Sequence, residues 1–211
     1  MIRILIADDH AILRRGLKEI LVRELKDAVC GEAENAPQLL ELVRKQDWDL
    51  VILDVAMPGR SGLDALGDLR EVNPKLPVLV LSVHPEDQLG KRALQAGASG
   101  YMNKEGAPEE LIGAVRKMLA GGLYVSPALA ERLALDLRQD TAGKPLHESL
   151  SNREFEVLRM LALGKTVTQI AEELHLSVPT VSTHRARMLE KMKMTSTAEL
   201  IRYALQNRLV D

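Results

Sequence analysis

Aromatic side chains are nearly missing from this chain of 211 residues: one Trp, one Phe and three Tyr, 2% in all. Any core must therefore be aliphatic, built from the residues that bring the hydrophobic share to 46%. A single cysteine, Cys30, excludes an internal disulfide, and its setting Ala28-Val29-Cys30-Gly31 reads as a strand interior rather than a redox or metal group. No apolar run approaches the roughly 20 residues of a membrane span. The first residues lack the basic stretch and long apolar core of a signal peptide. A cytoplasmic protein with no membrane partner is the expectation. Net charge is only −2, yet it is unevenly spread. Residues 1–122 carry 16 basic and 19 acidic side chains, residues 123–148 three and four, and residues 149–211 nine and seven. The small basic excess lies where nucleic acid would bind. The length exceeds the common size of one domain and predicts two cores.

Four short apolar runs each end in a residue able to handle a phosphoryl group. Ile4-Leu5-Ile6-Ala7 precedes Asp8-Asp9, Leu50-Val51-Ile52-Leu53 precedes Asp54, Val78-Leu79-Val80-Leu81 precedes Ser82, and Gly100-Tyr101-Met102-Asn103 precedes Lys104. If the runs are parallel strands of one sheet, their carboxyl ends converge on one crevice, the usual ligand site of an open α/β sheet. Clustered carboxylates repel unless a cation bridges them, and oxygen-only ligands favour Mg²⁺ over a transition metal. Asp9, Asp54 and the backbone carbonyl of Ala56 would hold the ion, with Asp8 acting through its water shell. Asp54 would be the phosphoacceptor, since a carboxylate can attack phosphorus without prior deprotonation. Lys104 would neutralise the transferring oxygens and Ser82 would bond one of them. Each residue also has a plainer reading. Asp8-Asp9 can cap the helix that follows, Lys104 can be a solvated lysine, and Ser82 a strand-end hydroxyl. Their coincidence at four strand ends, with the turn Met57-Pro58-Gly59 directly after Asp54, favours the shared pocket.

Between the runs the spacing becomes helical, as in Leu13, Leu17, Ile20, Leu21 and in Leu39, Leu40, Val43. Strands near residues 2–7, 28–33, 49–54, 77–82 and 99–102 alternate with these stretches, implying a parallel sheet covered on both faces. Ser61 with Asp64 reads as a capped helix start, and Pro37 and Pro108 sit in first turns. A domain boundary is expected after Gly121-Gly122. Ser126-Pro127 then opens a helix to about Leu137, and residues 139–146 read as a flexible loop, so residues 123–148 form a linker. Beyond it, Ser151 with Glu154, Thr166 with Gln169, and Ser196 with Glu199 have capping-box spacing, and Ser177 caps a further helix with Pro179 early in it. Helices are expected near 152–163, 167–174, 178–192 and 197–207, the first stopped by Gly164.

These residues carry a resemblance. Residues 1–122 are similar to the receiver (phosphoacceptor) domain of two-component response regulators, through Asp8-Asp9, Asp54 with Met57-Pro58, Ser82-Val83, and Lys104 with Tyr101 three residues before it. Residues 149–211 resemble the LuxR-type helix-turn-helix DNA-binding domain of the NarL/FixJ group, through Glu154, Leu158, Gly164, Ile170, Ala171, Leu174, Thr180 and Val181. The resemblance implies a flavodoxin-like α/β doubly wound sheet of strand order 2-1-3-4-5, with a second, smaller all-α domain. The stretch Ala171–Val181 would carry the turn, and the next helix would read DNA. On it Val181, Met188, Leu189 and Met192 would pack inward. Ser182, Thr183 and Ala186 would reach base edges, while Arg185, Arg187 and Lys191, with Lys165 and Thr180, would meet phosphates. His184 reads equally as a half-buried structural residue or a DNA contact. Ser182 and Thr168 replace basic residues common in the family, which leaves the target sequence open.

The function implied is a phosphorylation-dependent transcriptional regulator. A histidine kinase would phosphorylate Asp54, Tyr101 would turn inward as Ser82 and Lys104 close on the phosphate, and a homodimer would bind double-stranded promoter DNA. The last helix, 197–207, would supply the dimer contact. Receiver chemistry would be confined to its own phosphorylation and dephosphorylation, so the chain is not expected to be an enzyme. Ala56 offers no side chain to activate water, which predicts a long-lived acyl phosphate. Two rivals are a regulator of the same fold that ignores phosphorylation and a phosphatase using Asp54 on small substrates. No cap segment supports the latter.

Overall fold

The computed structural model describes residues 1–57, 62–83, 86–104, 106, 108–138 and 145–210. Pro58, Gly59, Ser61 and most of the loop expected at 139–146 lie outside the described residues. By contacts the chain divides into two units, Met1–Arg138 and Gln139–Asp211.

In the first unit, β1 (Ile2–Ala7), α1 (Ala11–Glu24), β2 (Ala28–Ala33), α2 (Ala36–Lys45), β3 (Leu50–Asp54), α3 (Gly62–Val72), β4 (Val78–Ser82), α4 (Glu86–Gln95), β5 (Gly100–Asn103) and α5 (Pro108–Leu119) alternate as expected. The five strands are parallel in the order β2-β1-β3-β4-β5. Every residue of β3 and of β4 is buried, as central parallel strands covered on both faces must be. Ile4, Ile6, Leu50, Ile52, Leu79 and Leu81 form one face of the core with Leu17 and Leu21 of α1 and Leu111, Val115 and Met118 of α5. The intervening residues Leu5, Val51, Leu53 and Val80, also buried, point to the opposite face by the two-residue period of a strand.

A further helix, α6 (Pro127–Arg138), belongs to this unit, which moves the boundary expected after Gly122. Two local interactions bring it in. Tyr124 extends the edge of the sheet, its carbonyl accepting from Tyr101 N–H at 3.2 Å and its own N–H donating to Ser99 at 2.9 Å. The Ser126 hydroxyl caps α6 by accepting from Leu129 N–H at 3.1 Å, and Leu129 is buried as α6 packs on α4.

The second unit has a 3-10 turn at Leu146–Ser149, then α7 (Asn152–Ala162), α8 (Val167–Glu173), α9 (Val178–Lys191) and α10 (Thr197–Gln206). Phe155, Leu158, Ile170, Val181, Met188, Leu200 and Ala204 are almost wholly buried among them. Ser151 with Glu154 and Thr166 with Gln169 form complete capping boxes. At α10 the box is only half made: Ser196 accepts from Glu199 N–H, but the Glu199 carboxylate turns to Thr195, taking its N–H at 2.8 Å and its hydroxyl at 3.0 Å. Gly164 stops α7 at φ +82°, with Lys165 N–H reaching back to Met160 at 3.1 Å. The next three helices end the same way without glycine, on His175 (φ 50°), Lys193 (φ 54°) and Arg208 (φ 53°).

Candidate functional site

Parallel register delivers Asp8 and Asp9 after β1, Asp54 at the end of β3, Ser82 at the end of β4 and Lys104 after β5 to the same edge of the sheet. Asp8, Asp9, Asp54 and Lys104 meet there, and Ser82 is buried at the same sheet edge. Lys104 Nζ lies 2.7 Å from Asp54 Oδ2 and 2.7 Å from Asp8 Oδ2, although residues 8 and 104 are 96 positions apart. Asp8, Asp54 and Ser82 are each 1% exposed, and Asp54 Oδ1 accepts from the Ala56 N–H at 3.0 Å. Burial pushes the Asp54 carboxyl above its ordinary range, Lys104 opposes the rise, and Asp8 adds to it. For Lys104, burial works against the charge, but Asp54 and Asp8 outweigh it and its pKa is raised. The Ser82 carbonyl accepts the Lys104 N–H at 2.8 Å, tying the ends of β4 and β5 together.

Three residues that pattern reading passed over belong to the same site. His10, next to the acidic pair, has Nδ1 3.1 Å from Asp8 Oδ1 and 2.8 Å from Asp9 Oδ1. Adjacency to Asp8-Asp9 was its only signal. Arg14 is buried on α1 and donates to the Asp8 carbonyl at 2.7 Å and to Glu34 at 2.9 Å, holding the turn that presents the acids. Gly62 begins α3 against the end of β3: a Cβ there would stand 2.0 Å from the Asp54 carbonyl oxygen, so a side chain would displace the strand end. Tyr101, expected to turn inward on switching, already has no exposed surface.

The donors of Asp8, Asp9, His10 and Asp54 lie within 4.8 Å of one another. Among the described residues, the Lys104 ammonium faces Asp8 and Asp54 while Asp9 lies in the same donor cluster, a negative excess that suits a divalent cation.

In the second unit, α9 buries Val181 and Met188, its C-cap Met192 is buried too, and Leu189 is only half-buried. Thr183, Ala186 and Arg187 are exposed, and Ser182, His184 and Arg185 are half-buried. Several nominated DNA contacts have partners inside the unit. Thr183 donates to the Pro179 carbonyl at 3.0 Å, and the Thr180 hydroxyl is 2.7 Å from that of Ser177. Lys165 pairs with Glu173, and Lys191 Nζ lies 2.6 Å from Oε2 of the buried Glu154. Burial opposes the Glu154 charge, yet Lys191 and the Ser151 N–H outweigh it and hold the carboxyl below its ordinary range.

Among the described residues no helix is long and apolar enough to cross a membrane. Residues 4–116 match the family model for the response regulator receiver domain, and residues 148–204 match that of the bacterial regulatory proteins of the luxR family. Over all 211 residues the chain is 38% identical to response regulator GacA of Pseudomonas aeruginosa, covering 99% of it, and 33% identical to response regulator UvrY of Escherichia coli, covering 97%. Among solved structures it is similar to RcsB of Salmonella typhimurium, with a TM-score of 0.67, 27% identity and 97% of each chain covered. It also resembles the response regulator in an RcsB–DNA complex, with a TM-score of 0.59, 26% identity, and 97% and 98% of the two chains covered. A receiver sheet ahead of a luxR-type helical unit, matched along the full length, leads to one conclusion: the chain belongs to the two-component response regulators of the NarL/FixJ group, DNA-binding regulators of transcription.

Proposed function

We propose that Asp54 accepts a phosphoryl group from a partner histidine kinase and that this switches the chain to a homodimer bound on promoter DNA. The observation that carries the reading is the single ammonium of Lys104 held 2.7 Å from both buried carboxylates, Asp8 and Asp54. A structural ion pair needs one acid; this arrangement leaves acid in excess at a strand-end crevice.

In the transfer, a carboxylate oxygen of Asp54 attacks phosphorus, the phosphorus–nitrogen bond of the donor histidine breaks, and the imidazole keeps its electron pair. Lys104 then moves its charge onto the phosphoryl oxygens and Ser82 donates its hydroxyl to one of them. Asp8, Asp9, Asp54 and the Ala56 carbonyl are the oxygens that would hold Mg²⁺, which when bound neutralises charge on the transferring group. Since Tyr101 is already buried, phosphorylation in this reading holds the ring inside rather than drawing it in from solvent. No separate substrate is turned over. The location is cytoplasmic, with the kinase and the DNA.

On α9, Ser182, Thr183 and Ala186 are the base-reading candidates and Arg185, Arg187, Lys191, Lys165 and Thr180 the phosphate contacts, with His184 between the two roles. Paired units on two half-sites would use α10 as the dimer contact, and the relative RcsB has been solved as two dimers on two DNAs. Buried Tyr101 also favours a second reading, DNA binding that ignores phosphorylation.

Radiolabelled acetyl phosphate with Mg²⁺ is expected to label the wild type but not Asp54→Asn. Phosphodonor is expected to tighten binding to selected genomic fragments by about tenfold or more in the wild type alone. Labelling with unchanged DNA affinity would sustain the second reading, and no labelling would overturn the first.

A further inference from the structure

The helical unit binds DNA by its family, and the side chains of α9 limit which base edges it can recognise. At about 3.6 residues per turn, Pro179, Thr183, Ala186 and Glu190 fall along one side of the helix, and all four are exposed. The first three have no proton to give a base. Proline and alanine side chains carry none, and the Thr183 hydroxyl donates to the Pro179 carbonyl at 3.0 Å. At the helix start the Ser177 and Thr180 hydroxyls are 2.7 Å apart, and Ser177 also takes the Thr180 N–H at 3.2 Å. Val178, in the same first turn, is 43% exposed, a branched apolar side chain that the core of the unit does not take in.

Guanine shows only acceptors in the major groove, O6 and N7, and its usual readers are Arg and Lys. The outward side of α9 has nothing to give them. What it presents is carbon, and the one apolar group on a major-groove edge is the C5-methyl of thymine. Glu190, next along the same side, would repel phosphates if it were brought to the groove, which confines the contact to the first turns of the helix. We propose that Pro179, Thr183 and Ala186 read thymine through its methyl group, while Ser182 and Arg187 on the two flanks supply the polar contacts. The inference rests on the reading of α9 as the helix that meets base edges. It gives Thr183 an apolar role in place of a hydrogen-bonding one, and it adds Pro179 to the residues that set the target sequence. The Thr183 oxygen keeps a lone pair, so the decisive variant removes carbon and leaves oxygen.

Duplexes selected from genomic fragments by the full chain, treated with acetyl phosphate and Mg²⁺, supply the probe. Each thymine of a selected site is replaced in turn by deoxyuridine, which keeps every hydrogen-bonding atom and loses only the methyl, and affinity is read by fluorescence anisotropy. At one or more positions in a half-site the wild type is expected to lose about fourfold, the worth of one buried methyl group. Thr183→Ser keeps the hydroxyl that bonds Pro179 and removes the facing methyl. It is expected to bind the thymine site about fourfold less tightly than the wild type and to be indifferent to deoxyuridine at that position. Pro179→Ala, at an exposed position, is expected to do the same at a neighbouring base pair. Full wild-type affinity for a site with every thymine replaced overturns the proposal; if Ser182→Ala still alters base preference there, α9 remains the reading helix and reads by hydrogen bonds. A loss shared equally by wild type and both variants also overturns it, because the methyl then acts through DNA shape or touches another element. Equal wild-type affinity for selected and scrambled duplexes removes the base-reading role of α9, and the inference falls with it.

Discussion

Buried charge is used in opposite ways in the two units. In the receiver sheet, Asp8, Asp54 and Lys104 gather where the strands end, and burial works against the ionised form of Asp54. In the helical unit, the buried Glu154 closes a capping box, pairs with Lys191 and is held ionised. The first arrangement concentrates carboxylates around one ammonium; the second completes a helix start. The difference shows that burial of a carboxylate does not by itself mark a functional site. What marks it is a surplus of one sign that the protein leaves uncompensated.

The strongest way to break this contrast is Lys104→Met. Removing the one ammonium strands two buried carboxylates, and in chelator it is expected to cost about 3–5 kcal/mol by denaturant unfolding. Added Mg²⁺ should restore part of that loss if the surplus charge is meant for a cation. Asp54→Asn should act in the opposite direction and raise Tm, because it removes a charge that burial disfavours.

Glu154→Gln tests the other side. The folded pKa of Glu154 is below its ordinary 4.5, so its contribution is present above about pH 4.5 and lost as pH falls through the folded value. The variant should lose about 1 kcal/mol at neutral pH and unfold with a flatter acid limb, as followed by circular dichroism. A wild-type acid limb unchanged by the substitution would mean that Glu154 is not the structural charge it looks to be.

A smaller effect separates the cations of α9. Arg187 is exposed, whereas Lys191 is engaged by Glu154. Arg187→Ala should therefore lower the slope of log affinity for DNA against log salt by about one, and Lys191→Ala by less. Equal slopes would show that Lys191 leaves Glu154 when DNA binds. Smallest of all, Lys193→Gly relieves a left-handed residue at the end of α9 and should add about 0.5–1 kcal/mol of stability, read from the denaturation midpoint.

Much of this architecture was legible beforehand. Alternating apolar runs and helical spacings located the five strands to within a residue or so, and Ser151, Thr166 and Ser177 announced their helices. The half-made box at Ser196 was not legible, because Thr195 competes for Glu199 with the same reach. Nor were the left-handed ends at His175, Lys193 and Arg208, where the fold imposes a conformation that only Gly164 advertises.

By itself the sequence determined which side chains stand at strand ends and which helix faces are apolar, since both follow from periods of two and of about 3.6 residues along the chain. The tertiary structure alone decided that Lys104 is shared between Asp8 and Asp54, that Arg14 and Gly62 support the acids, that His10 turns back onto them, and that Tyr124 and α6 join the receiver unit. Most of these depend on how parallel strands come into register, or on where an exposed ring or a remote helix settles. Local preference carries no record of such distances until the sheet has closed.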